Sequence, residues 1–167
     1  MEIKTMLKYP KGKIMKVVVV DDSPIVRARL IQRLNEIFGV TQSMPAGDPI
    51  EAEQLIKDCS PDLVILDIRM PELSGIELLK RVKEFDPTII VIILTNYPYP
   101  QYKEQAYQVG ADYFFSKSDE FEEVFTTITN LAEVGWWYLR SFLGWDRRKN
   151  LNEAKFRRIS LLGKYDY

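Results

Sequence analysis

Five polar residues stand where runs of aliphatic residues stop. KVVVVDD ends in adjacent carboxylates, Asp21 and Asp22; LVILD ends in Asp67, IIVIILT in Thr95, and Lys117 follows ADYFFS. Neighbouring carboxylates repel and raise one another's pKa unless a cation lies between them. The chain has no histidine, which removes histidine metal ligands and every Ser-His or Cys-His nucleophile. Oxygen chemistry remains. A set of carboxylate oxygens without nitrogen or sulfur suits a hard divalent cation, Mg²⁺ or one like it, which takes few protein carboxylates and keeps water or phosphate oxygens elsewhere in its shell. The paired aspartates are therefore expected to hold a divalent cation.

Taken singly, each residue has an ordinary explanation. A strand-end Asp usually caps a turn, a lone Lys is usually a solvated charge, and Thr is a good strand former. The five differ in falling together at one edge of a single sheet, and that sheet is legible in the pattern.

Valine- and isoleucine-rich runs alternate with stretches of helical spacing. The run Lys16–Asp21 precedes a helix over Pro24–Phe38, with Val26, Leu30, Leu34, Ile37 and Phe38 on one face, Ser23 as its cap and Gly39 at its end. A strand near Val40–Ala46 leads to a helix opened by Asp48-Pro49, with Glu51 in the capping-box position. Strand Leu63–Asp67, helix Ile76–Phe85, strand Ile89–Thr95, a short helix near Gln101–Val109, and strand Asp112–Phe115 follow. A last helix from Glu120 is expected to bury Phe121, Val124, Phe125, Ile128 and Leu131. Five strand–helix repeats imply a doubly wound parallel α/β sheet covered on both faces, hence uninterrupted apolar strands. Ligands of such sheets sit beyond the carboxyl ends of the strands at the switch in strand order, the edge that carries the five polar residues.

Composition sets the bounds. The 167 residues, 46% of them hydrophobic, suffice for one domain with an appendage. The single cysteine, Cys59, allows no internal disulfide and suits a reducing, cytoplasmic setting. The aliphatic runs are too short for a membrane span. The net charge of −1 conceals an acidic body with basic ends: residues 15–139 carry 11 basic against 20 acidic side chains, residues 140–167 carry 8 against 3, and residues 1–14 carry 4 against 1.

The motifs VVVVDDSP, PDLVILDIRMPELSG, VIILTN and GADYFFSKS, in that order, resemble the receiver domain of bacterial two-component response regulators over roughly residues 15–134. The resemblance implies a flavodoxin-like (βα)5 fold and a phosphoacceptor switch rather than an enzyme acting on a separate substrate. It implies Asp67 as the phosphorylated residue. Mg²⁺ would be held by Asp21, Asp22, Asp67 and the main-chain carbonyl of Arg69, Lys117 would pair with the phosphoryl oxygens, and Thr95 would hydrogen-bond one of them. The implied partner is a sensor histidine kinase or a histidine phosphotransfer protein. Metal and ammonium are the stabilisers that phosphoryl transfer to a carboxylate needs. Pro71 and Gly75 fit the loop after Asp67, stiffening it and admitting tight backbone geometry.

Several positions depart from the family pattern. The switch aromatic is Phe114, which lacks a hydroxyl, so packing alone sets its inward or outward rotamer. Asn96 stands where Ala or Gly is usual and would narrow access to the phosphoryl group, and Ser118 replaces the common Pro after Lys117. Arg69 and Tyr97 occupy positions that tune phosphoryl lifetime, together with Asn96. The face formed by the fourth helix, fifth strand and fifth helix would serve partners or a homodimer, with Tyr99 and Tyr102 as its expected contacts. Pro98 and Pro100 should shorten the fourth helix.

Residues 1–14 read as a basic leader. Residues 135–167 read as a short helical, aromatic and basic extension with Trp136, Trp137 and Trp145 at its start and Asn150 with Glu153 as a capping box; they are too few for a usual helix-turn-helix output domain. Packing on the receiver or on a second subunit is the favoured role for this extension. Membrane-surface association, or nucleic-acid contact through Arg147, Arg148, Lys149, Arg157 and Arg158, is less favoured. Two other functions compete with the phosphoacceptor. A phosphorylation-independent module for interaction or dimerisation is opposed by the complete set of five polar residues. A dehalogenase-type phosphohydrolase would need a second Asp where Arg69 stands.

Overall fold

In the computed structural model the described residues are 15–71 and 73–133. Five strands, β1 (Met15–Val20), β2 (Val40–Ala46), β3 (Leu63–Leu66), β4 (Ile90–Thr95) and β5 (Tyr113–Ser116), alternate with five helices, α1 (Pro24–Leu34), α2 (Pro49–Cys59), α3 (Gly75–Phe85), α4 (Pro100–Val109) and α5 (Phe121–Glu133). The strands form one parallel sheet in the order β2-β1-β3-β4-β5. The order reverses between β1 and β3, so the loops after these two strands diverge to opposite faces and leave a crevice above their carboxyl ends.

The central strands are apolar because helices cover both faces. Val18, Val20, Val64, Leu66, Val91 and Ile93 share a core with Ala52 and Ile56 of α2, Ile76, Leu78, Leu79 and Val82 of α3, and Ala106 of α4. The alternate residues Val17, Val19, Ile65, Ile92 and Leu94 point the other way, where Leu30 and Leu34 of α1 and Val124, Phe125 and Ile128 of α5 are buried. On that side Arg33 holds Glu122 at 2.7 Å and lies 4.5 Å from the Phe125 ring, pinning α1 to α5.

The caps act where the sequence places them. The Ser23 hydroxyl accepts from the Val26 N–H, and Asp48 accepts from both Ile50 and Glu51 N–H groups. Glu51 reaches back to the Gly47 N–H at 2.7 Å, one residue earlier than a standard capping box. Pro100 opens α4 at a position whose N–H would have no helical partner, which accounts for the late start of that helix.

Some expectations need correction. The first helix stops at Leu34, not Phe38. After it, Glu36, Ile37 and Val40 donate to carbonyls three residues back, and Gly39 turns at φ +97° so that its carbonyl receives the Met15 N–H at 2.8 Å. The chain must reverse within five residues to lay β2 beside β1, and that tight turn carries Phe38 outward, to 91% exposure. Phe121 and Leu131 are half-buried rather than buried, whereas Val124, Phe125 and Ile128 are buried as expected. Strand β3 ends one residue before Asp67, and β5 runs one residue past Phe115. The leader at 1–14 and the extension expected at 135–167 lie outside the described residues. No helix among the described residues is long and apolar enough to cross a membrane.

Candidate functional site

Each site residue is set by the strand it follows. Asp21 continues β1: its N–H donates to the Ala46 carbonyl at 3.3 Å. Its side chain is buried, accepting from the Ser23 N–H at 2.9 Å and from Lys117 Nζ at 2.6 Å. Asp22, the next residue, faces outward and is exposed. Asp67 donates its N–H to Val20 at 3.0 Å, as a further rung between β1 and β3, and is 5% exposed. Its Oδ2 receives Lys117 Nζ at 2.6 Å, and its Oδ1 lies 3.4 Å from the Arg69 N–H.

Lys117 is fixed from the far side of the sheet. Its N–H donates to the Thr95 carbonyl at 2.8 Å, extending the β4–β5 ladder by one rung and aiming the ammonium back across β4 to β3 and β1. Thr95 is fully buried, and its Oγ1 accepts from the Tyr97 N–H at 3.2 Å. Gly75 brings α3 tight against the loop: its N–H donates to Ile68 at 2.8 Å, and a Cβ there would overlap the Asp67 carbonyl oxygen.

The electrostatics follow from burial and partners. Burial pushes the Asp21 carboxyl above its ordinary pKa despite the hydrogen bonds from Lys117 and Ser23, and the nearby Asp67 charge adds to the rise. Burial opposes the Lys117 ammonium, yet hydrogen bonds to Asp21 and Asp67 outweigh it and hold its pKa above the usual lysine value. Asp21, Asp22 and Asp67 each present an oxygen within 4.8 Å of the others. Lys117 pairs with Asp21 and Asp67 while Asp22 stands beside them, so the cluster has more carboxylates than its ammonium balances and a purely oxygen donor set. Both fit a hard divalent cation.

The cleft is open and encloses about 420 Å³, with Asp22, Asp67, Lys117, Arg69, Asn96 and Tyr97 among its lining residues. The five residues singled out for chemistry thus gather at one edge. Asp21 and Asp67 meet Lys117 directly and Asp22 stands within 4.8 Å of both carboxylates, while the Thr95 hydroxyl is tied to the Tyr97 amide. Asn96 stands exposed at the rim. Phe114 is elsewhere: it is turned inward, 4% exposed in the core shared with Ala106, with Lys103 Nζ 5.8 Å from its ring. With no hydroxyl to draw it toward water, apolar packing holds it in. Tyr99 is half exposed, and Tyr102 packs partly buried against the core. No cis peptide bond occurs among the described residues.

Two features escape a reading of the sequence. Arg27, on the first turn of α1, donates to the Asp21 carbonyl at 2.5 Å and lies against Gly47, so it braces the acidic loop from behind. Its only local signal is an arginine one turn into a helix that follows two aspartates. The Arg69 guanidinium stacks over the Tyr97 ring at 4.4 Å, linking the β3–α3 and β4–α4 loops. Nothing local announces that pair, whose members lie 28 residues apart.

The family model for the response regulator receiver domain matches residues 17–129. A protein-glutamate methylesterase/protein-glutamine glutaminase of Vibrio vulnificus is 41% identical over 84 residues, which cover 50% of this chain and 24% of that protein. Sporulation initiation phosphotransferase F of Bacillus subtilis is 34% identical over 111 residues, covering 65% of this chain and 86% of the relative. Among solved structures, the chemotaxis protein CheY4 of Vibrio cholerae superposes with a TM-score of 0.64 at 27% identity, over 70% of this chain and 98% of that one. The chain therefore spans about a quarter of the methylesterase but most of the two shorter relatives.

Proposed function

The chain belongs to the response regulator receiver family, and on that premise we propose that it is a two-component signalling switch whose phosphoacceptor is Asp67. One observation carries the reading. Asp67 is a buried carboxylate at the carboxyl end of a central strand, with an ammonium 2.6 Å away and two further carboxylates beside it.

In the proposed reaction an Asp67 oxygen attacks the phosphorus of a phosphohistidine on a sensor kinase or phosphotransfer protein. The P–N bond breaks, its electron pair returns to the imidazole nitrogen, and Asp67 becomes an acyl phosphate. No histidine in this sequence serves as the donor. Water attacking the same phosphorus later breaks the new O–P bond and releases inorganic phosphate, restoring the carboxylate. Lys117 follows the phosphoryl oxygens with its charge, and Thr95 donates its hydroxyl proton to one of them. Such donors stabilise charge that develops during transfer.

Asp21, Asp22 and Asp67, with the Arg69 carbonyl, would hold Mg²⁺, which supplies positive charge against the phosphoryl oxygens when bound. The output in this reading is a change at the α4-β5-α5 face, where Tyr99 stands exposed, read by a partner or a second copy in the cytoplasm.

Intact-protein mass spectrometry after incubation with MgCl₂ and acetyl phosphate tests this reading. The parent gains one phosphoryl group, while Asp67→Asn and the parent in EDTA gain none. A folded parent that gains nothing, or an Asp67→Asn variant that gains as much as the parent, overturns it.

A further inference from the structure

Tyr97 is tied to the site twice. Its N–H donates to the Thr95 hydroxyl at 3.2 Å, and its ring lies under the Arg69 guanidinium at 4.4 Å. Both tethers end on groups that can donate hydrogen bonds to an anion arriving at Asp67. Arg69 is exposed, its N–H is already 3.4 Å from Asp67 Oδ1, and its side chain lines the same cleft as Asp67 and Lys117.

Beyond Tyr97 the rings continue. The Tyr97 and Tyr99 centroids are 6.2 Å apart at an interplanar angle of 50°, and Tyr99 and Tyr102 are 6.0 Å apart at 38°. Tyr102, on the first turn of α4, packs against the core cluster that includes Phe114 and Ala106. A run of aromatic contacts therefore leads from the cleft rim into the seat of α4. The α4 start has no side-chain cap bond at Tyr99.

We infer that Arg69 and Tyr97 form a latch that reports occupancy of the cleft to α4. The inference rests on phosphorylation of Asp67 as proposed above. In the unmodified protein the guanidinium rests on the face of the Tyr97 ring. A phosphoryl group on Asp67 brings dianionic oxygens into the same cleft, and bidentate guanidinium–phosphate hydrogen bonds are stronger than a solvent-exposed cation–π contact. Arg69 then leaves the Tyr97 ring, and the tether that the guanidinium supplied is lost. The Tyr97–Tyr99–Tyr102 run of ring contacts is released at its cleft end, and the first turn of α4 shifts with it. In this scheme Arg69 binds the phosphoryl oxygens directly, and Tyr97 is a positioning residue.

The experiment is ¹⁹F NMR of the full chain labelled with 3-fluorotyrosine, with the Tyr97 and Tyr102 resonances assigned by single Tyr→Phe variants. Intact mass is followed on the same samples, with MgCl₂ and acetyl phosphate as the additions. Phosphorylation of the parent is expected to shift both resonances. Arg69→Ala without phosphodonor is expected to have Tyr97 already near the shifted position, whereas Arg69→Lys, which keeps a cation for the ring, stays near the parent position. A parent that gains the phosphoryl group by mass while Tyr97 stays put overturns the latch and leaves the phosphoacceptor reading standing. Loss of the Tyr97 shift only upon Tyr102→Phe, with no effect of Arg69→Ala, also overturns it. No gain in mass removes the phosphoacceptor reading, and the latch falls with it.

Discussion

Gly75→Ala puts a single methyl where the fold leaves no room for one. The residue is not in the left-handed region, where among the described glycines only Gly39 and Gly110 lie, so its role is space rather than backbone freedom. A Cβ on Gly75 would overlap the Asp67 carbonyl oxygen and sit 2.8 Å from both the Asp67 carbonyl carbon and Ile68 Cα. All three are main-chain atoms of the segment leaving β3, so no side chain can rotate aside, and α3 must slide or the loop must move. The overpacking costs about 3 kcal/mol, at the upper end for inserted methyl groups. Weakening the Gly75 N–H bond to Ile68 adds about 1 kcal/mol. Alanine returns up to about 1 kcal/mol through its higher helix propensity. The net loss is about 3 kcal/mol, or roughly 9–18 °C in melting temperature for a domain of this size.

Because the displaced atoms belong to Asp67 itself, the same variant should take up phosphoryl groups more slowly at temperatures where it remains folded. Urea unfolding followed by far-ultraviolet circular dichroism gives the stability, and intact mass gives the uptake. Ser74→Ala is the control: it removes only the hydroxyl that accepts from Ile76 N–H at 3.3 Å, with a cost of about 1 kcal/mol. A Gly75→Ala variant within about 0.5 kcal/mol of the parent, the usual range for a harmless surface change, would refute the reasoning.

Three further outcomes are expected. Lys117→Met leaves Asp21 and Asp67 without the ammonium that now bridges them at 2.6 Å each, so it should lose about 2–3 kcal/mol in EDTA and regain more stability than the parent on adding MgCl₂; equal responses to MgCl₂ in thermal melts would count against the shared acidic cluster. Asp112→Ala removes an acceptor of Lys83 Nζ at 2.8 Å and of the Val91 N–H at 2.9 Å in a largely buried setting, and should cost about 3 kcal/mol in urea unfolding, where a loss under about 1 kcal/mol would deny the pair its role. Burial raises the Cys59 thiol pKa above its ordinary value, so labelling with a disulfide reagent at pH 8 should be slower than that of the same cysteine in unfolding concentrations of urea; matched rates would show that burial does not protect it.

Local chemistry wrote much of this protein openly. Strands buried on both faces must be apolar throughout, so VVVV, LVIL and IVIILT declare themselves without knowledge of their neighbours. Ser23, Asp48 and Pro100 mark helix starts through bonds made within a turn, or through an N–H whose absence does no harm there. Asp21, Asp22, Asp67, Thr95 and Lys117 were visible for the same reason: each interrupts or follows a strand at its carboxyl end. The end of α1 was not visible, because Ile37 and Phe38 keep the helical spacing while the need to turn into β2 overrides it.

What only the tertiary structure decided is which distant groups meet. The order β2-β1-β3-β4-β5 sets β3 between β1 and β4, and that placement lets one ammonium from beyond β5 reach both Asp67 and Asp21. It also brings Lys83 onto Asp112 and Arg69 over Tyr97. None of these pairs has a local signature, because a long charged side chain is compatible with solvent at almost any surface position. Its partner is chosen by the path of the chain through space. Periodicity and caps are bonds between near neighbours and can be read in order along the sequence; the site is a set of contacts between strand ends, and exists only once the sheet has been assembled.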